Sequence, residues 1–331
     1  MKKERALAVC TTALGDTLLC TPALSVLGRK FDLDVLVHQK RLPLLQGNPH
    51  IKQLFSYRNN DLVRLFLGGK LCFRKYSRVV VLHANSDVRK LLSFLRYDQA
   101  WNLQGWENKA KRLYAMVPDP SQHVIEKRLN LTDLVGADSD PEPMQVYLSE
   151  EELYAGRAWL ADRGLQDKKL VALCPGAAQI YKTWPASNFG WVAGRLAEKQ
   201  AACLVVGSAG ESGLAEEVQN ASGKEVVNAL GLPLRLCAAV LAQVEFLITN
   251  DTGPMHLCQA VGRPVLALFG PTDAKTIGPI LPGSRILETP RTCEKCLTKA
   301  CQDPVCMRAL DKEKVLSVAS VMLDSLKGKE S

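Results

Sequence analysis

Seven short, mostly apolar runs punctuate this chain, and amphipathic stretches separate them. RALAVC (5–10), LDVLV (33–37) and RVVVL (78–82) fall in the first half; KLVALC (169–174), ACLVV (202–206), EFLIT (245–249) and PVLALF (264–269) fall in the second. A strand with one wet face alternates apolar and polar residues, whereas a strand covered on both faces does not need to. Helical stretches near 21–30, 60–75, 187–199, 211–220, 233–242, 252–262 and 311–327 intervene, so the pattern predicts parallel sheets with helices on both faces. GADSDPEPMQ (136–145) interrupts the pattern and is the best linker, and the helix after it (149–164) is placed at the end of a first domain. The chain is long enough for two cores. The expectation is two doubly wound, Rossmann-like α/β domains, 1–165 and 166–331, facing a central cleft. The C-terminal helix is a candidate to pack back on the first domain.

The composition is that of an ordinary globular protein, with 47% hydrophobic and 23% charged residues. No apolar run reaches the roughly 18 residues of a membrane-spanning helix. The N-terminal MKKERALAVCTTALGDTLLC briefly imitates a secretion signal, but Asp16 breaks the apolar stretch and no convincing small-residue cleavage site follows. An odd count of 11 cysteines, seven of them scattered singly through apolar segments, fits a reducing compartment. The expected location is therefore cytoplasmic.

The net charge of +8 is uneven. Residues 1–150 hold 22 basic against 15 acidic residues, and 52–112 hold 13 against 4. Such a surplus is either a solvated face or an attraction for an anionic partner. Aromatic content of 6%, with no zinc-finger or RNP-like pattern, gives nucleic acid little support.

In a doubly wound fold, ligands bind outside the carboxyl ends of the strands, which directs attention to the loops after them. TTALGDTLLCTPAL (11–24) places Asp16 directly after the first strand; it is a turn carboxylate or a general base. Thr21-Pro22 has the composition of a helix start. CPGAAQIYKTWP (174–185) carries Lys182, a surface lysine or a phosphate partner. Gly207-Ser208-Ala209-Gly210-Glu211 ends in a carboxylate that favours a helix start or accepts from ribose hydroxyls. In ITNDTGPMH (248–256), Asp251 or Thr252 caps a helix, Pro254 suits its first turn, and Gly253 admits close backbone approach. That helix start presents unpaired N–H groups to an anion, with His256 one turn in. Asp-Thr-Gly is also an aspartic-protease signature, but it occurs once, and such proteases need two copies.

Taken in order, these loops resemble glycosyltransferase family 9, the bacterial lipopolysaccharide heptosyltransferases. The pieces that carry the resemblance are LGDTLLCTPAL (14–24), CPGA with YKTWP (174–185), TNDTGPMHLCQAVGRP (249–264), LFGPTD (268–273) and the Gly-Trp-basic segment GWENKAKRLY (105–114). The resemblance implies a GT-B fold, with the acceptor on the first domain and the nucleotide-sugar on the second. It implies metal-independent, inverting transfer of L-glycero-D-manno-heptose from ADP-heptose to the lipopolysaccharide inner core, with a slight lean to the second-heptose enzymes. The alternatives are a relative using another nucleotide-sugar and a non-catalytic nucleotide- or lipopolysaccharide-binding protein of the same fold.

By the same resemblance Asp16 is the base. Lys182, Thr252 and Gly253 hold the diphosphate, Glu211 contacts the ribose, Asp251 contacts the donor sugar, and His256 supports that site. Arg89, Lys90, Lys109, Lys111 and Arg112 are candidates to meet an anionic Kdo–lipid A acceptor at the inner face of the cytoplasmic membrane. No cofactor is required. The run RTCEKCLTKACQDPVCM (291–307) departs from this scheme: Cys293, Cys296, Cys301 and Cys306 have a spacing that suits a structural zinc or iron–sulfur site, or are free thiols.

Overall fold

The computed structural model describes residues 3–58, 71, 73–290 and 301–325. They form two compact units, residues 1–147 and 148–331. In the first, strands β1 (Arg5–Cys10), β2 (Asp32–His38), β3 (Gln53–Tyr57), β4 (Lys75–His83), β5 (Arg96–Asn102) and β6 (Leu113–Ala115) form one parallel sheet in the order β3-β2-β1-β4-β5-β6. Helices α1 (Leu14–Leu18), α2 (Thr21–Lys30), α3 (Leu42–Leu45), α4 (Asp87–Leu92) and α5 (Val124–Asp133) belong to this unit.

The central strand shows why its sequence is apolar throughout. Ala6, Ala8 and Cys10 join a core on one face, and Leu7 and Val9 join a separate core on the other. Successive side chains alternate faces, so double coverage demands apolar residues at every position.

The second unit repeats the topology. Strands β7 (Lys169–Cys174), β8 (Ala201–Gly207), β9 (Val226–Leu230), β10 (Phe246–Asn250), β11 (Val265–Phe269) and β12 (Arg285–Glu288) are parallel, in the order β12-β11-β10-β7-β8-β9. Its helices are α6 (Glu150–Ala161), α7 (Ala186–Glu198), α8 (Ser212–Ser222), α9 (Leu234–Leu241), α10 (Gly253–Ala260), α11 (Ala274–Ile277), α12 (Val305–Arg308) and α13 (Lys312–Asp324). Each sheet thus has one switch point where the winding reverses, between β1 and β4 and between β7 and β10.

The expected strands and the two-sheet α/β class are present, and most expected helices lie within a residue or two of their predicted ends. The 60–75 helix falls largely outside the described residues, and Lys75 already belongs to β4. Strands β3, β5, β6, β9 and β12 were not expected. They are short or polar, such as RYDQAWN in β5 and the mostly exposed RILE in β12, because they lie toward the sheet edges.

Three expectations about the joints change. The units part between residues 147 and 148 rather than at 165, because α6 packs on α9. At that contact a Cβ on Gly156 would overlap Ala239. The C-terminal helix α13 packs on α7 and buries Val315, Ala319, Met322 and Leu323 in the second unit's own core. The 136–145 stretch is bound down rather than free. Glu142 accepts from Arg29 and His50, both at 2.8 Å, and from the Tyr147 hydroxyl at 2.5 Å. These donors, Tyr147 first, hold its carboxyl near pKa 2.

Helices α7 and α8 approach closely through two glycines one turn apart. A Cβ on Gly190 would overlap the Val218 carbonyl, and one on Gly194 would overlap that of Ser222. Gly190→Val should therefore destabilise the chain by about 1–3 kcal/mol through overpacking. Urea unfolding checks this: the midpoint should fall while the slope stays unchanged.

Candidate active site

Asp16 lies in α1, immediately beyond the carboxyl end of β1. Arg128 reaches it from α5: Nη2 donates to Oδ1 at 3.2 Å, and Nη1 donates to the Asp16 carbonyl at 3.1 Å. The Arg128 side chain is wholly buried, so the guanidinium fixes both the backbone and the carboxylate of the candidate base. A buried guanidinium is tolerated only when paired and hydrogen-bonded, which ties its orientation to Asp16. The other carboxylate oxygen, Oδ2, accepts from Thr12 Oγ1 at 3.2 Å. Thr12 Oγ1 also lies 2.6 Å from Nδ1 of His83, the last residue of β4. The His83 Nε2 stands 3.8 Å from Asp16 Oδ1. Burial lowers the His83 pKa below the ordinary imidazole value, opposed by the Asp16 charge and reinforced by Arg128.

The second constellation lies at the other switch point. Asn250 ends β10 and is fully buried. Its amide nitrogen donates to the Pro175 carbonyl at 2.7 Å, and its oxygen accepts from Trp184 N–H at 3.0 Å. One side chain therefore holds both ends of the loop that follows β7. The Trp184 indole donates to the Leu310 carbonyl at 3.0 Å and stands edge-on to Phe189, which fixes the loop from below. Within that loop Lys182 closes a 3-10 turn, Ile180–Lys182, and its Nζ donates to Asp251 Oδ2 at 2.5 Å. Thr272, from the turn after β11, donates to the same oxygen at 2.8 Å.

Asp251 therefore turns away from capping. Thr252 is the N-cap of α10, and no side chain caps that terminus. The first turn, with Gly253 and Pro254, is half-exposed. Its backbone N–H groups and the helix dipole favour an anion there.

Glu211 realises its helix-start reading. It closes the 3-10 turn Ala209–Glu211, and its Oε2 accepts from Ser208 N–H at 2.7 Å. A Cβ on Gly176 or on Gly207 would overlap this carboxylate, so the two glycines leave the space it occupies between the β7 and β8 loops. His256 is buried within α10. Thr21 does not cap α2: Cys20 holds the N-cap position without a side-chain cap bond, and the Thr21 hydroxyl donates to the Leu18 carbonyl at 2.7 Å.

The basic acceptor candidates are exposed, and they divide. Arg89 and Lys90 lie on α4, while Lys109 and Lys111 bracket a 3-10 turn that Arg112 leaves with φ of 52°. Lys111 Nζ donates to the Ser93 carbonyl at 2.9 Å. Ser93 is the C-cap of α4, so Lys111 is tied to the end of the helix that carries Arg89 and Lys90. Behind the Gly-Trp-basic segment, buried Asn102 donates to the Trp106 and Tyr114 carbonyls and accepts from Gln104 and Trp106 N–H.

Of the four clustered cysteines, Cys293 and Cys296 lie outside the described residues, and Cys301 and Cys306 are buried. Among the described residues no group of three or more His, Cys, Asp or Glu side chains could hold a metal.

Thr12, His83, Arg128, Asn250 and Thr272 were not singled out from the sequence. Arg128 had a signal: it shares a helix face with buried Ile125, Leu131 and Thr132, a charged residue at a core position. His83 is the first residue after the apolar run 78–82, at a strand's carboxyl end.

Each unit is a parallel, doubly wound sheet with polar groups gathered at its switch point, the Rossmann-like arrangement of the GT-B fold. The profile of glycosyltransferase family 9 (heptosyltransferase) matches residues 94–306, and this chain belongs to that family. It is similar to lipopolysaccharide heptosyltransferase 3 of Escherichia coli K12, 24% identical over 283 residues, covering 78% of this chain and 80% of the relative. The fold matches a family 9 glycosyltransferase from Veillonella parvula with a TM-score of 0.85 at 21% identity, covering 98% of both chains. It also matches the E. coli ADP-heptose lipopolysaccharide heptosyltransferase II with a TM-score of 0.78 at 19% identity, covering 99% of this chain and 100% of that one.

Asn250→Ala leaves the Pro175 carbonyl and the Trp184 N–H without their partner inside the protein. It should cost about 1–3 kcal/mol of stability. If the loop after β7 holds the nucleotide, calorimetry should show ADP binding weakened at least tenfold.

Proposed function

We propose that this chain transfers L-glycero-D-manno-heptose from ADP-heptose to the inner core of lipopolysaccharide with inversion at the anomeric carbon. The observation that carries the reading is the Lys182–Asp251 pair beside the uncapped start of α10. A diphosphate at that helix start would draw Lys182 from the carboxylate. Asp251, still held by Thr272, would then accept from hydroxyls of the donor sugar. Thr252 and Gly253 would give backbone N–H groups to the phosphates, Glu211 would meet the ribose, and His256 would support α10 from within.

Asp16 takes the proton from the acceptor hydroxyl, the freed oxygen bonds to the anomeric carbon, and the bond from that carbon to the diphosphate breaks. The leaving ADP carries new negative charge, which Lys182 and the helix N-terminus meet. General base catalysis supplies roughly 10²–10⁴ in rate, and one preorganised donor to developing charge supplies about 2.7–4 kcal/mol. A lysine and a helix dipole perform this work without a metal.

The acceptor that suits the basic surplus of 52–112 is an anionic Kdo-bearing lipid A, reached at the inner face of the cytoplasmic membrane. Arg89, Lys90, Lys109, Lys111 and Arg112 are the exposed basic side chains that would meet it. No described helix is long and apolar enough to cross a membrane, which is compatible with peripheral attachment. CPGA and YKTWP incline the reading toward addition of the second heptose.

Incubation with ADP-heptose and a Kdo-bearing lipid A acceptor should release ADP. Asp16→Asn should lower kcat by roughly 10²–10⁴ while ADP binding persists; wild-type transfer by this variant would remove Asp16 from its role. ADP should raise the melting temperature where UDP and GDP do not, and Lys182→Ala should abolish that rise. Equal stabilisation by UDP or GDP would point to another nucleotide-sugar.

A further inference from the structure

The hydrogen-bond chain beside Asp16 fixes the tautomer of His83. An ionised carboxylate only accepts, so the Thr12 hydroxyl proton serves Asp16 Oδ2. That hydroxyl must then accept at its 2.6 Å contact with His83, which makes Nδ1 the protonated ring nitrogen. The other tautomer would withdraw the Thr12 proton from Oδ2. In return it would offer an N–H at 3.8 Å from Oδ1, beyond hydrogen-bond distance. Nε2 is therefore bare, 3.8 Å from the carboxylate oxygen Oδ1.

We propose that His83 is a positioning and proton-relay residue, receiving through Nε2 the proton that Asp16 takes from the acceptor hydroxyl. This rests on Asp16 acting as the base. After abstraction Asp16 is a carboxylic acid, and its proton passes from Oδ1 to the Nε2 lone pair, regenerating the carboxylate and leaving an imidazolium. The Nδ1–H bond to Thr12 persists throughout, so no other group changes protonation. The His83 side chain is 39% exposed, which gives the ring room to close on Oδ1 and to return the proton to solvent.

The charged groups facing the ring are Asp16 from α1 and Arg128 from α5. Cys10, its neighbour across β1 and β4, is a neutral thiol, raised by its hydrogen bond with Cys20 and by burial. Burial and Arg128 favour the neutral ring in the resting protein, and an imidazolium formed there readily gives its proton up.

Long-range ¹H–¹⁵N correlation spectra of the full chain, with His83 assigned by His83→Gln, should show Nε2 as the unprotonated nitrogen at neutral pH. Thr12→Ser should keep that tautomer and Thr12→Val should lose it. An Nε2–H tautomer in the wild type overturns the proposal.

In turnover, the relay requires a neutral ring. Activity should be full above the depressed His83 pKa and fall as pH drops through it, below about 6.5. His83→Gln should lower kcat by roughly tenfold to a hundredfold and move that acid limb to lower pH by at least one unit. An unchanged limb overturns the relay. Asp16→Asn separates the two readings: if it is active, the base assignment falls; if it is inactive while His83→Gln keeps the wild-type profile, only the relay falls.

Discussion

Parallel pairing is the constraint from which the rest follows. A parallel strand cannot return through a tight hairpin, so each connection crosses back over a face of the sheet. Every strand in a unit then ends at the same edge, and the loops that leave those ends carry the free polar groups. Where the winding reverses, two neighbouring strands send their connections to opposite faces, and a crevice opens between the loops. Both units use that place in the same way: β1 and β4 bring Asp16 and His83 together, and β7 and β10 bring Lys182 and Asp251 together.

Each site is stiffened by a buried polar side chain that spends its hydrogen bonds on the site loops. In the second unit Asn250 holds both ends of the Lys182 loop. In the first, Arg128 holds the backbone and the carboxylate of Asp16, and Asn102 plays the part of Asn250 for the Gly-Trp-basic segment. A buried amide or guanidinium that lost these partners would carry its full desolvation cost, so the loops have little freedom to drift. Such preorganisation favours charge stabilisation at a leaving group, because donors already in place need not reorganise as charge develops.

Much of this was legible residue by residue. The seven apolar runs became strands because double coverage leaves little room for polar side chains in a central strand, and the buried Asp34 of β2 is held by Arg74 and Tyr76. Asp16, Lys182, Asp251 and Thr252 were found because they follow those runs. Edge strands such as β12, and β5 one strand in from the edge, escaped notice because they are short or carry polar residues. The division of the chain was misplaced because the helix after the polar 136–145 stretch was counted with the first domain, whereas α6 packs on α9 in the second unit. Lys111 was grouped with the acceptor candidates on charge and on the resemblance of its Gly-Trp-basic segment, and its bond to the Ser93 carbonyl is a contact no local pattern announced.

The sequence by itself determined the architecture, the order of the loops and the residue types at the strand ends, because those depend on local periodicity and turn chemistry. Only the tertiary structure decided which of those residues meet. Arg128 is 112 positions from Asp16, and Thr272 is 21 positions from Asp251. Their partnership depends on strand order and helix packing, which no local pattern encodes. The opening of α10 illustrates the difference. As sequence, Asp251 and Thr252 are equivalent caps; in the fold, Lys182 and Thr272 draw Asp251 aside and leave the helix start open to an anion.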